Sequence, residues 1–407
     1  MLCILKVPNL RFPGFEGEWE AKKLGEIARF SKGKGISKAE IEENGKTECI
    51  RYGELYTTYN EIIDTVISKT NTELNKLILS EENDIIIPAS GETQIDIATA
   101  SCLMKSGVAL GGDLNIIKTP LNGIFLSYYL NSKKKIEIAN LAQGISVVHL
   151  YSSQLSTLEI NYPLLQEQSK IAGFLSLCET RIQQSSKIIE GLKSFKSATS
   201  KKIFSQELRF KDDNGEDFPE WEEKKLGEIA EKRIKKNIDN KIINVFTNSA
   251  VNGIVNQRDF FEKDIANQNN LKGYYVVENN DFVYNPRISS TAPVGPISRN
   301  HLGSGVMSPL YSVFRFKCGN INFIECVFNT NVWHKHMEDI ANYGARADRM
   351  SFAIGDFYKM PIPFPSLPEQ AKIANFLSSI DEKIGTEKKI LEQYKIQKAY
   401  LLQNMFV

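Results

Sequence analysis

The decapeptide WEAKKLGEIA at residues 19–28 returns as WEEKKLGEIA at residues 221–230, with nine of ten positions unchanged and a separation of 202 residues (221 − 19 = 202). A second pair of segments obeys the same offset: LQEQSKIAGFLS (165–176) and LPEQAKIANFLS (367–378). The stretches between the signatures, 29–164 and 231–366, are therefore of equal length, 136 residues each (164 − 28 = 136; 366 − 230 = 136). Their interiors differ, apart from an echo of NDIIIP (83–88) in NDFVYNP (280–286). Equal blocks with near-identical ends and unlike middles indicate one fold used twice, for two different targets.

The second signature opens a long amphipathic segment in each copy. Apolar residues recur with 4,3 spacing at Ile171, Leu175, Cys178, Ile182, Ile189 and Leu192, and again at Ile373, Leu377, Ile380, Ile384, Leu391 and Tyr394. No proline interrupts either run, and the other faces are rich in Lys, Glu, Gln and Ser, which predicts a coiled-coil seam. A lone segment of this kind also suits a helix lying on a globular domain; two with the same spacing favour a mutual pair. The polar seam positions Ser185, Lys196, Glu387 and Lys398 are candidates for fixing register. At the second helix, Ser366 and Glu369 have the S-x-x-E spacing of a capping box, whereas Leu164 stands in place of the serine in the first copy.

The blocks read differently. ECIRYGELY, DIIIPAS, NIIKTP, VYNPRIS and YSVFRF are short β-rich runs bounded by Gly, Pro, Ser and Asn. Helices are expected near 124–141 and 324–343. The fold class expected is α+β: two β-rich domains joined by two long antiparallel helices with an internal pseudo-twofold repeat.

These residues resemble the specificity subunit of type I restriction-modification enzymes. The likeness rests on RFPGFEGEWEAKKLGEIA (11–28), its echo LRFKDDNGEDFPEWEEKKLGEIA (208–230), the Q-E-Q-x-K-I-A and P-E-Q-x-K-I-A helix starts, and the dissimilar blocks between. It implies target recognition domains at 1–164 and 207–366, and spacer helices at 165–206 and 367–407. Each domain would read half of a bipartite site in double-stranded DNA. Two modification (methyltransferase) subunits would dock on the helices and repeated segments, and restriction subunits would join them. Catalysis would then reside in those partners, using S-adenosylmethionine, ATP and Mg, with no cofactor or metal on this chain. A coiled-coil adaptor binding only proteins is the alternative.

A search for catalytic motifs leaves the chain without an evident reaction of its own. NYPL (161–164) and YNPR (284–287) lack the double proline of an amino-methyltransferase loop, and no G-x-x-x-x-G-K-[ST] is present. LGGDL (110–114) has no strand–GxGxxG–helix context and reads as a turn. DEK (381–383) falls on the second helix and reads as a solvated face. In WHKHMED (333–339) the histidines are two apart and do not share a helix face. The six cysteines are scattered, without a zinc or disulfide pattern. No apolar run reaches the ~18–20 residues of a membrane span, and the N-terminal residues are too short an apolar run for a secretory signal. A cytoplasmic protein is expected.

The formal charge is only +1, so contact with DNA has to come from local clusters. Residues 22–38 hold six Lys/Arg against one Glu, with Lys32 and Lys34 in the loop RFSKGKGISK; EKRIKKN (231–237), with Arg233 and Lys235, is the counterpart. Such turns are either solvated surface or phosphate grips. Base reading needs side chains that match base edges, Arg for guanine and Asn or Gln for adenine. The candidates are Arg51, Tyr52, Ser90, Thr93 and Gln94 in the first block, and Asn285, Arg287, Ser289, Arg299, Arg346 and Arg349 in the second. Each has a structural reading too: Tyr52 as core, Arg346 and Arg349 as partners of Asp348 or Asp356.

Overall fold

The computed structural model describes residues 6–144, 146–260, 271–342 and 348–407, and it shows what the repeated decapeptides do. Each is a clasp. Strand Glu20–Lys23 pairs antiparallel with Glu159–Tyr162, the strand that leads into the first long helix. Strand Glu222–Lys225 pairs in the same way with Pro361–Phe364, which leads into the second. The LGEI that follows turns back on the same segment: Leu24 and Gly25 donate backbone N–H bonds to Leu158 and Ser156, and Leu226 and Gly227 do so to Met360 and Tyr358. The approach is close enough in the first copy to demand glycine, since a Cβ on Gly25 would lie 2.9 Å from the Ser156 Cβ.

The long helices span Leu165–Phe204 and Leu367–Asn404. The chain divides into two units, Met1–Lys187 with Lys388–Val407, and Ile188–Glu387. Each unit thus holds one α+β domain and a part of both helices, which run antiparallel. In the first unit Ile171, Ala172 and Leu175 share a core with Leu401, Met405 and Phe406. Trp19 packs on Phe125 and Phe406. In the second unit Trp221 packs on Phe323 and Phe204, and Phe204 is the repeat-equivalent of Phe406 (406 − 204 = 202).

Every seam position named above is buried or half-buried. The two lysines of the seam are tied by ion pairs. Lys398 reaches Glu179 at 2.8 Å and Glu61 at 3.1 Å and lies over the Tyr128 ring. Its equivalent Lys196 reaches Asp381, the equivalent of Glu179, at 2.6 Å. Burial alone would lower the Lys398 pKa, but Glu61 and Glu179 outweigh it and hold the ammonium above its ordinary range.

The glutamate and glutamine at the helix starts are buried fasteners. Arg11 donates Nε and Nη2 to the two carboxylate oxygens of Glu167, both at 2.8 Å. Arg209 does the same to Glu369 at 3.3 and 3.1 Å. The expected capping box is therefore not formed: Glu369 serves Arg209 instead, and the Ser366 hydroxyl has no partner among the described residues. Gln168 accepts from the Asn122 N–H and donates to the Pro163 carbonyl. Gln370 repeats this with Asn320 and Pro365. Asn122 and Asn320 are themselves N-caps, of helices Gly123–Tyr129 and Ile321–Phe328. The frame thus grips each block at its capped helix.

The central sheet of the first unit runs Arg29–Lys32, Leu114–Lys118, Asp84–Pro88, Ser101–Leu103, Ile62–Ile63. That of the second runs Ala230–Lys232, Ser312–Phe316, Phe282–Tyr284, Ile297–Arg299. The echo NDIIIP/NDFVYNP marks the same place in both. Asn83 and Asn280 each take a left-handed conformation, φ 76° and 70°, which asparagine tolerates. Asp84 and Asp281 each accept from the backbone N–H three residues before, Glu81 and Glu278. Lys118 and Arg315 each bridge the acidic pair. The helix expected over 124–141 is Gly123–Tyr129 and Lys135–Leu141 joined by a wider π turn. The one expected over 324–343 is split into Ile321–Phe328 and His334–Ile340, because Trp333 folds back to donate its indole N–H to the Phe328 carbonyl.

Candidate nucleic-acid interface

In the first unit the basic loop is pinned by glycines. A Cβ on Gly33 would fall 1.9 Å from the Gly111 carbonyl, so backbone meets backbone there. Gly112 donates to the Gly35 carbonyl, Lys34 to that of Leu110, and Gly111 to that of Ile50. The GG pair is thus a turn that gathers Lys34 and Arg51. Lys32 and Lys34 are exposed, and the Lys32 ammonium lies 5.6 Å from the Tyr151 ring centre. Arg51 is half-buried beside Glu54, Nη2 to carboxylate 3.7 Å, and its buried Nε has no partner among the described residues. Tyr52 is at the surface rather than in the core.

The remaining first-block candidates divide. Ser90 is buried in a two-residue strand opposite His149. Thr93 is an N-cap, accepting from the Asp96 N–H and donating to its carboxylate. Gln94, next to it, is exposed.

In the second unit, Arg233 is occupied. It meets Glu278 at 2.9 Å and approaches Asp281. Burial pushes the Asp281 carboxyl up, opposed by the Glu278 N–H and by Arg315 and Arg233. Arg299 is likewise committed, to Asn280, Asn322 and Glu325. Lys235 is exposed. Arg346 lies outside the described residues.

Asn285, Arg287, Ser289 and Arg349 come together. They line a cleft of about 430 Å³, with Thr247, Asn248, Gln257 and Tyr311. Asn285 shapes it: Nδ2 donates to the Asn248 carbonyl and Oδ1 accepts from the Arg287 N–H. Ser289 closes a turn by accepting from the Ala292 N–H. Arg287 and Arg349 face each other across a two-strand bridge and share a single exposed carboxylate, Asp348, at 3.7 and 4.0 Å. Asn248 is 1% exposed and its Oδ1 has no partner among the described residues.

Thr247, Asn248, Gln257 and Tyr311 escaped the sequence reading. The signal that reaches two of them is structural: Cys49 pairs parallel with Ala109, as Val245 bridges Val306. That places Arg51 and Tyr52 where the second unit has Thr247 and Asn248 (247 − 51 = 196).

A duplicated frame carrying unlike polar surfaces at equivalent positions defines a class of protein, a scaffold with two different recognition heads. The chain belongs to the type I restriction modification DNA specificity domain family, whose model matches residues 16–194 and again 219–395. A curated relative, the type I restriction enzyme MjaVIII specificity subunit of Methanocaldococcus jannaschii, is 28% identical over 221 residues. That match covers 53% of this chain and about half, 49%, of the relative. Among solved structures, the type I restriction-modification system S subunit from M. genitalium superposes with TM-score 0.61 at 18% identity. It covers 98% of this chain and 99% of that one. A chain from a structure of type I R-M system assembly and conformational transition gives 0.53 at 13%, covering 98% and 99%. At such identities the likeness is one of fold. Among the described residues no helix is long and apolar enough to cross a membrane, and no cluster of three or more His, Cys, Asp or Glu could hold a metal ion.

Proposed function

We propose that this chain is the non-catalytic, cytoplasmic DNA-recognition subunit of a type I restriction-modification complex, with one α+β block reading each half of a bipartite double-stranded site. The observation that carries the reading is the pairing of a repeated frame with unlike side chains at one place in the two sheets: Arg51 and Tyr52 in the first block, Thr247 and Asn248 in the second. A protein that meets one target twice has no need of that difference. Exposed Lys32, Lys34 and Lys235 would grip phosphates and set register.

Two equivalent surfaces suit two copies of a modification subunit. Leu165 and Ile188 on the first long helix and their repeat-equivalents Leu367 and Ile390 on the second are exposed, outside the seam. Methyl transfer, ATP hydrolysis and cleavage would belong to those partners and to the restriction subunits, with S-adenosylmethionine, ATP and Mg bound there.

The test is binding of the full chain, alone and with its modification subunits, to a random duplex library at several salt concentrations. The expected result is an enriched two-part motif whose affinity falls steeply with salt. Absence of salt-sensitive duplex binding in both preparations would return the protein to the adaptor class.

A further inference from the structure

The cleft of the second unit has a chemistry that limits what it can receive. None of its lining residues among the described ones is acidic. Two guanidiniums stand at its edge, and Asp348, 58% exposed, is the one carboxylate near both among the described residues. Arg287 is itself 61% exposed, so its donors stay available, whereas those of Arg299 and Arg233 are taken. No hydrogen bond to another described residue is seen from the half-buried Gln257 side chain in the same wall. The lining includes the Asn248 amide oxygen, buried and without a partner among the described residues. The walls are held rigid by the Asn285 amide, which is spent on backbone at both ends.

We infer that this cleft reads a guanine in the second half-site: Arg287 and Arg349 donate to the O6/N7 edge, and Asn285, the residue of the type expected to read adenine, is a positioning residue that orients Arg287. Paired acceptors on the ligand suit Arg287 and Arg349, whose planar guanidinium forks match the O6/N7 edge of guanine. A cytosine or adenine amino group would instead turn to the Gln257 or Asn248 amide oxygen, and a preference for either base at that pair overturns the inference. A backbone phosphate offers the same acceptors, and the experiment separates the two sources. The inference rests on the DNA-recognition reading above.

The experiment measures base preference at every position of the two-part motif for the full chain with its partner subunits, for Arg287→Ala and Arg349→Ala, and for duplexes with 7-deazaguanine at each guanine. The expected result is a loss of discrimination of roughly ten- to hundredfold at one base pair of one half-site. 7-Deazaguanine at that base pair should give a similar loss with the unaltered protein, which removes any question of folding. The other half-site should be unchanged. A uniform loss across all sequences, with a salt slope shallower by about one, identifies a phosphate contact and overturns the inference. Unchanged preferences in both variants overturn it as well while leaving DNA recognition standing. Failure of the unaltered chain to select any motif removes both.

Discussion

Arg287 and Arg299 are the same residue type in the same unit, twelve positions apart (299 − 287 = 12), and their surroundings give them opposite roles. Arg299 spends its donors on Asn280, Asn322 and Glu325 and thereby fastens the end of a sheet strand to helix Ile321–Phe328. Arg299→Ala should therefore lower the stability of the second unit by about 2 kcal/mol, the scale of a charge-assisted bond lost from a part-buried site. It should leave base preference where it was. Urea unfolding and motif selection on the same preparation check this; an altered motif without a stability loss would show that Arg299 had been wrongly set aside. Sequence cannot make this distinction, because residue type is legible and the partner is not. The candidate DNA contacts mixed four residues that line one cleft with two arginines already held by carboxylates, Arg299 from the base readers and Arg233 from the basic clusters.

At the scale of elements, each long helix is fastened through its second signature. Arg11 lies 14% exposed over a Glu167 that is 2% exposed. Arg11→Ala strands that carboxylate in the interior, at a cost of about 3 kcal/mol, read as a lowered urea midpoint; a loss below ~1 kcal/mol would mean that Glu167 finds another partner. Lys398 makes a pH-dependent contribution. Its folded pKa is raised above the ordinary 10.5, so its stabilisation is fully present below pH ~10.5 and is lost as pH rises through the folded value. The stability gap between the parent and Lys398→Met should stay level from pH 7 to 10 and narrow beyond it. A gap that widens there contradicts the assignment.

Much of this was legible: the 202-residue offset and the helix seams follow from periodicity and repetition, and the β-rich runs fall on strands Thr47–Ile50, Asp84–Pro88, Leu114–Lys118, Phe282–Tyr284 and Ser312–Phe316. The arginine clamp was hidden because the loop after Arg209 is longer. Arg11 and Arg209 are 198 apart while their glutamates are 202 apart, so a fixed offset steps past the pair. The capping box was misread for a related reason, since Glu369 has the right spacing from Ser366 and a stronger partner from elsewhere in the chain. The cleft was illegible because its walls come from segments some hundred residues apart, Thr247 to Arg349.

For the whole molecule, the frame and the blocks are separable in principle. What holds the first block to its frame is the apolar core that Phe125 and Tyr129 share with Trp19 and Phe406, and two polar attachments, the Asn122 N–H bond to the Gln168 side chain and the strand pairing of Glu20–Lys23 with Glu159–Tyr162. Replacing residues 29–164 with the corresponding block of a relative that keeps those two attachments should change one half of the selected motif and leave the other intact. Motif selection on the chimera decides it, and a change in both halves by a folded chimera would count against independent readers.

The aromatic residue at the end of each long helix imposes an order on synthesis. Phe204 is made before the unit whose core it joins, so the second unit folds onto a piece already waiting. Phe406 belongs with Trp19, Phe125 and Tyr129, yet it leaves the ribosome more than two hundred residues after helix position 187. At 5–20 residues per second that interval is on the order of ten to forty seconds. Throughout it the first unit has its sheet but not the aromatic cover of its core. Two halves that look alike when finished therefore have unlike histories, and the first carries the longer exposure to chaperones, proteases and neighbouring nascent chains.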